Sequence, residues 1–193
     1  MSAHLTDELE EIQLRERAVA GDQSAMVGLA RKLQWTHSSQ SGDALSNKAK
    51  IERLEEGLLW ATKAADEGST QACFECATIM VALGEPEVAR EWCEAAIESK
   101  PSADVLLFAV QFAFYPLCDQ VLAEKWTLRA QVRATETGDR KSLGLAAYRL
   151  GWFAKKNDDI DGARHWYGVA QECGHGHAKR KLREIGGDET PKN

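Results

Sequence analysis

Two short constellations in this 193-residue chain hold residue types that could do chemistry. Cys73-x-x-Cys76 has the spacing of a dithiol redox pair, in which a thiol near a helix start can have a lowered pKa and act as a nucleophile. Cys173-x-His175-x-His177, with His165 one to two turns earlier, offers the sulfur and imidazole donors that hold zinc. Each reading meets an obstacle in its surroundings. Redox pairs of the thioredoxin kind follow a strand, and no strand pattern precedes Ala72. A reduced cysteine at an inward position acts as a small hydrophobe. A closed zinc site needs a tetrahedral ligand set, and these histidines fall at a Gly-punctuated helix junction where polar residues are expected anyway. The chain contains no G-x-S-x-G, no phosphate-binding loop and no H-E-x-x-H, and its carboxylates are scattered as on a solvated surface. The expectation is a protein with no catalytic residue, no metal, no cofactor and no small-molecule substrate.

The elements that must position these residues are helices, and they recur. Gly57/Trp60/Ala64, Ala89/Trp92/Ala96, Ala123/Trp126/Ala130 and Ala163/Trp166/Ala170 each place a small residue three before a tryptophan and an alanine four after it. That spacing puts the three side chains on one helix face, with the ring as a knob between two holes. Successive tryptophans are 32, 34 and 40 residues apart. This is close to the period of about 34 residues of a helix-turn-helix repeat of the tetratricopeptide kind.

The pattern small-x-x-Trp-(Tyr)-x-x-Ala-(Ala)-x-x-(Gly) resembles the second helix of the Sel-one-like repeat family, relatives of tetratricopeptide repeats. Ala163/Trp166/Tyr167/Ala170/Gly174 and Gly57/Trp60/Ala64/Ala65/Gly68 match best. The two middle copies have Lys100 and Ala134 in place of the closing glycine, and the likeness runs over residues 18 to 185. It implies an all-α solenoid of about four helix-turn-helix repeats, with an N-terminal helix before them and a capping helix after them. It also implies adaptor or scaffold behaviour, and some Sel-one-like proteins resemble dedicated inhibitors.

In chain order, Leu5 to Ala20 reads as an amphipathic helix with Thr6-Asp7 as N-cap and Leu5, Leu9, Ile12, Leu14 and Val19 as its apolar residues. Ser24 to Trp35 follows with Ala25, Leu29, Ala30 and Leu33 inward. The polar stretch 36–48 reads as a loop insertion. Ser69 to Leu83 and a helix opened by Pro86 form the second repeat, because proline fits the first helical position. Ser102 caps a third-repeat helix that Pro116 halts. Its partner, capped by Asp119, extends from Gln120 to Thr137. Lys141 to Lys156 and the helix ending near Gly174 complete the fourth repeat. Gly21-x-x-x-Ala25, Gly68-x-x-x-Ala72 and Gly174-x-x-x-Ala178 suggest one reused turn. His177 to Ile185 is the cap, with Leu182 and Ile185 on one face. The expected division is one helical-repeat domain over 1–186 and a disordered tail over 187–193.

A net charge of −6 argues against a protein that tracks nucleic-acid phosphates. Five cysteines in a chain whose start has neither a basic nor an apolar leader favour a reducing, cytoplasmic setting. The longest apolar run, Val105 to Leu117, is too short to cross a bilayer and reads as buried helix. The function expected from these features is binding of a partner protein or peptide in the concave groove. If the first helix of each repeat lines that groove, Trp35, Phe74, Phe114, Tyr148 and Trp152 lie near its surface, with Arg31, Gln34, Thr78 and Lys155 as polar neighbours. Aromatic rings beside arginine are common interface hot spots. The bland alternative is that these rings are core. The acidic surface would steer a basic partner. An adaptor or scaffold and an immunity-type inhibitor that neutralises a cognate toxin by tight binding both fit, and nothing in the residues separates them.

Overall fold

The computed structural model describes residues 3–35 and 46–186, and within these every regular element is a helix. The ten are α1 (Ala3–Val19), α2 (Gln23–Trp35), α3 (Asn47–Asp66), α4 (Thr70–Ala82), α5 (Pro86–Ser99), α6 (Ala103–Phe114), α7 (Gln120–Thr137), α8 (Arg140–Lys156), α9 (Ile160–Glu172) and α10 (Ala178–Gly186). The chain divides into two compact units, Met1–Lys100 and Pro101–Asn193. None of the described helices is long and apolar enough to cross a membrane.

Helix ends are set by local chemistry. Gly21, Gly68 and Gly174 all have positive φ (91°, 91° and 84°), the left-handed conformation that costs glycine least. The amide after each closes onto the preceding helix: Asp22 to Arg17 O at 3.0 Å, Ser69 to Ala64 O at 3.0 Å, His175 to Ala170 O at 2.9 Å. The reused turn is thus real, and Ala25, Ala72 and Ala178, four residues after each glycine, are all buried. The turn at Asp139 to Ala134 O, 2.9 Å, is the same, as is the one at Asp159 to Ala154 O, 2.9 Å, where Asp158 takes the glycine's place at φ 59°. Asp119 caps α7 through the Leu122 amide at 2.9 Å. Ser102 occupies the N-cap of α6, but its hydroxyl makes no capping bond and is left buried without a partner.

In the first unit α2 packs on α3, α3 on α4 and α4 on α5, while α2 also touches α4. In the second unit α6, α7, α8 and α9 follow the same order, α6 touches α8, and α10 lies on α9. Each unit is therefore two helical hairpins whose first helices meet. The second helices expose why their sequences recur. Ala89/Cys93/Ala96, Ala123/Thr127/Ala130 and Ala163/Tyr167/Ala170 are all fully buried, as are Ala61 and Ala64 after the buried Gly57. The centre of the stripe is the residue after each tryptophan. At 100° per residue the tryptophan and the residue after it flank the two small ones at equal angular distance, about 50° on either side, so the neighbouring helices and not the spacing decide which of the two is buried. Trp60, Trp92 and Trp166 are half-buried margins, and of the four only Trp126 sinks completely.

Three expectations about ends and faces change. α1 begins at Ala3 and runs through Thr6-Asp7, which therefore do not cap it. Its inward residues are Leu14, against Gly28, and fully buried Ala18, whereas Leu9, Ile12 and Val19 are exposed. The face that meets the hairpin is held by charge as well: Glu11 accepts from Arg53 at 2.8 Å and Arg15 at 2.9 Å, and Arg15 donates to Glu56. The insertion ends sooner than 48, because Ser46 caps α3 by accepting from the Ala49 amide at 3.2 Å. Residues 36–45 and the tail 187–193 lie outside the described residues.

Candidate functional site

On the first-helix face of the first unit, α2 and α4 bring together polar groups. Arg31 of α2 pairs with Glu75 of α4, its Nε donating at 3.0 Å, and Gln34 donates to the same carboxylate at 3.4 Å. Thr78 is exposed but its hydroxyl turns back onto the Phe74 carbonyl at 2.8 Å. Phe74 itself is only 7% exposed and belongs to the core of this unit. The side chain of Trp35, the last residue of α2, lies outside the described ones. What remains here is a polar surface whose cation is already matched by a carboxylate.

The second unit is different. Phe114, at the end of α6, meets Trp152 of α8 edge-on at 5.4 Å and stacks on Phe153 at 5.5 Å. Phe153 is buried and anchors the pair, while Trp152 remains 38% exposed. The Lys156 ammonium lies 5.5 Å above the indole, in cation–π range, and also donates to Gln120. Lys155 is exposed beside it. Further aromatic surface comes from Phe108, 47% exposed, its neighbour Phe112 at 6.0 Å, and Tyr115. Sequence reasoning missed Phe108, Phe112 and Tyr115 by reading the run Val105 to Leu117 as buried throughout, although Asp104 and Gln111, seven apart on one helix face, bracket Phe108 and mark the open side. It also missed Arg149, which crosses from α8 to donate to the Leu107 carbonyl of α6 at 2.9 Å.

Tyr148, one turn before Trp152, points toward the C-terminal helices instead. It stacks on His175 at 4.2 Å and lies 5.5 Å from Tyr167 and 6.5 Å from His177. Burial lowers the His175 pKa, and His177 lowers it further. Among the described residues no three His, Cys, Asp or Glu side chains gather as a metal-holding group. His175 and His177 also face each other, their rings 6.0 Å apart. Tyr167 is fully buried, its hydroxyl has no partner, and burial pushes its pKa up to about 12. An unmet buried hydroxyl costs about 1–3 kcal/mol. Tyr167→Phe is thus expected to leave the second unit as stable or to raise its stability by about 1 kcal/mol, measured by urea unfolding. A loss of stability would mean that the hydroxyl has a partner.

The cysteine pair is equally built in. Cys73 and Cys76 are buried along α4, and Cys93 is buried on α5. Burial pushes the Cys76 and Cys93 thiols up to about 12 and raises Cys73 too. A thiol held protonated is a poor nucleophile. In the native protein at pH 8, iodoacetamide is expected to label exposed Cys118 well before Cys76 or Cys93, as read by mass spectrometry of timed digests. Equal rates at Cys76 and Cys118 would contradict the burial described.

Set against known proteins, the chain matches no family model, and no curated protein sequence matches it significantly.

Proposed function

We propose that the four hairpins are degenerate Sel-one-like repeats forming a solenoid, and that the chain is a non-catalytic binding module for a partner protein or peptide. The observation that carries this reading is the Trp152–Phe114 pair. A large ring stands open to solvent on a first helix, seated on buried Phe153 and flanked by Lys155 and Lys156. Such a ring is pre-ordered, so a partner gains its apolar area with little entropy cost, as at interface hot spots. The polar seam of the first unit, with Arg31 matched by Glu75, is a weaker anchor. Five cysteines without a disulfide fit the reducing conditions of a cytoplasm.

The test is recovery of a C-terminally tagged chain from its native cells, compared with the Trp152→Ala and Phe108→Ala variants. A hot-spot tryptophan is worth at least about 2 kcal/mol, so affinity should fall about thirtyfold or more in Trp152→Ala. One stoichiometric, very tight partner would identify a dedicated inhibitor, and several weaker ones a scaffold. Partners indifferent to both substitutions would remove this face from consideration.

A further inference from the structure

Arg149 is a half-buried cation that pairs with no acid among the described residues. Its Nη1 donates to the Leu107 carbonyl at 2.9 Å, and that is its one hydrogen-bonded acceptor among the described residues. The remaining N–H donors of the fork meet no acceptor among the described residues. Burial alone acts on its pKa, pulling it down, and Asp104, the acid of α6, exerts no opposing pull. A guanidinium drawn from water without a counter-charge is costly, and a carboxylate that reaches it recovers that cost. The first unit shows the complete version of such a seam, where Arg31 of α2 is matched by Glu75 of α4 with Gln34 on the same carboxylate. At the seam of the second unit, α6 offers Arg149 only a backbone oxygen.

The surrounding charge points the same way. Lys141, Lys155 and Lys156 are exposed along α8. The first unit carries 18 Asp and Glu against 10 Lys and Arg, the second 12 against 14, so the acidity of the chain lies in the first unit alone. Steering of a basic partner therefore does not apply to the aromatic face. Trp152 follows Arg149 by three residues, which sets the two side chains next to each other on α8.

Building on the partner-binding reading above, we infer that the α6–α8 face takes an acidic peptide segment: a side-chain carboxylate on Arg149, and a neighbouring apolar side chain on the Trp152–Phe114 pair. The carboxylate would be to Arg149 what Glu75 is to Arg31, with the arginine here on the second of the two first helices instead of the first. Arginine suits this role because its planar fork can hold both carboxylate oxygens.

The experiment selects short random peptides with amidated C-termini on the full chain and measures the winners by fluorescence anisotropy. Winners should carry Asp or Glu within a residue or two of an aromatic or aliphatic one. Replacing that acid by its amide should weaken binding about tenfold or more, and the weakening should vanish in Arg149→Gln. The amide swap is made in the peptide, so it stands whatever the variant does to folding, which thermal unfolding checks. Peptides that need Trp152 yet tolerate the amide swap would overturn the carboxylate assignment while leaving the binding face intact. Binding only by phosphoserine peptides would overturn it too. If no selected peptide loses affinity in Trp152→Ala, the partner-binding reading falls, and this inference with it.

Discussion

Trp126→Ala is expected to cost the second unit about 3–5 kcal/mol, the largest loss from any one side chain of the tryptophan series. Its ring is 1% exposed, enclosed within the packing of α7 on α6 and α8. Truncation removes the whole transfer free energy of an indole and leaves a cavity. Fully buried Ala123, Thr127 and Ala130 beside it are too small to collapse into that space. Against a total stability of about 5–15 kcal/mol for an ordinary domain, such a loss brings this unit near its unfolding threshold. At about 4–8 °C per kcal/mol for a unit this size, Tm should fall by more than 10 °C. Trp166→Ala is the comparison. That ring is half-buried at the margin of α9, and the centre of its stripe is filled by Tyr167, so the loss should be clearly smaller. Urea unfolding of both variants decides the matter. Equal losses would mean that the tryptophan, rather than the residue after it, is the packing centre of every repeat.

That comparison also marks how far the sequence could be read. Helix number and most helix ends were legible, because they depend on local chemistry: left-handed glycines at 21, 68 and 174, an aspartate at 119 and a proline at 86 each act within a turn of their own position. The period was legible for a related reason, since a recurring tryptophan is easy to see. What it packs as was not, because the third and fourth residues after the small one flank the stripe at equal angular distance, and only the helices packed against it decide which is buried. Apolarity does not mark the buried face of α1: Leu9, Ile12 and Val19 are exposed, and the docking side uses Glu11, Leu14, Arg15 and Ala18. The candidate site was legible in part. Trp152 and Phe114 do meet, but Phe74 is core, Tyr148 turns toward His175, and Arg149 could not be distinguished from any surface arginine until its one acceptor proved to be a carbonyl. Facts of that kind depend on residues about forty positions away, and no local pattern encodes them.

Gly151→Ala and Gly168→Ala, the same substitution in neighbouring helices, are expected to have opposite signs. A Cβ on Gly151 would lie 2.7 Å from Cδ1 and 2.8 Å from Cε1 of Tyr167. The ring is fully buried against α8, with Tyr148 5.5 Å away on the same side, so it has no room to retreat. Alanine gains about 0.8–1 kcal/mol of helix propensity over glycine, but overpacking of a closed core costs about 1–3 kcal/mol and here involves a rigid ring rather than a flexible chain end. The clash should win, and Gly151→Ala should destabilise the second unit by about 1–2 kcal/mol. At Gly168 a Cβ would meet nothing within 4 Å, and this residue is not among the positive-φ glycines. There the propensity term acts alone, and Gly168→Ala should gain about 0.5–1 kcal/mol. A double variant separates clash from any other effect: Gly151→Ala combined with Tyr167→Leu should cost less than the two single losses added, because the smaller side chain vacates the contact. Strict additivity, or a Gly151→Ala protein as stable as Gly168→Ala, would show that the Tyr167 ring does not press on Gly151. The close approach of α8 and α9 would then have to rest on something other than a glycine opposite a ring.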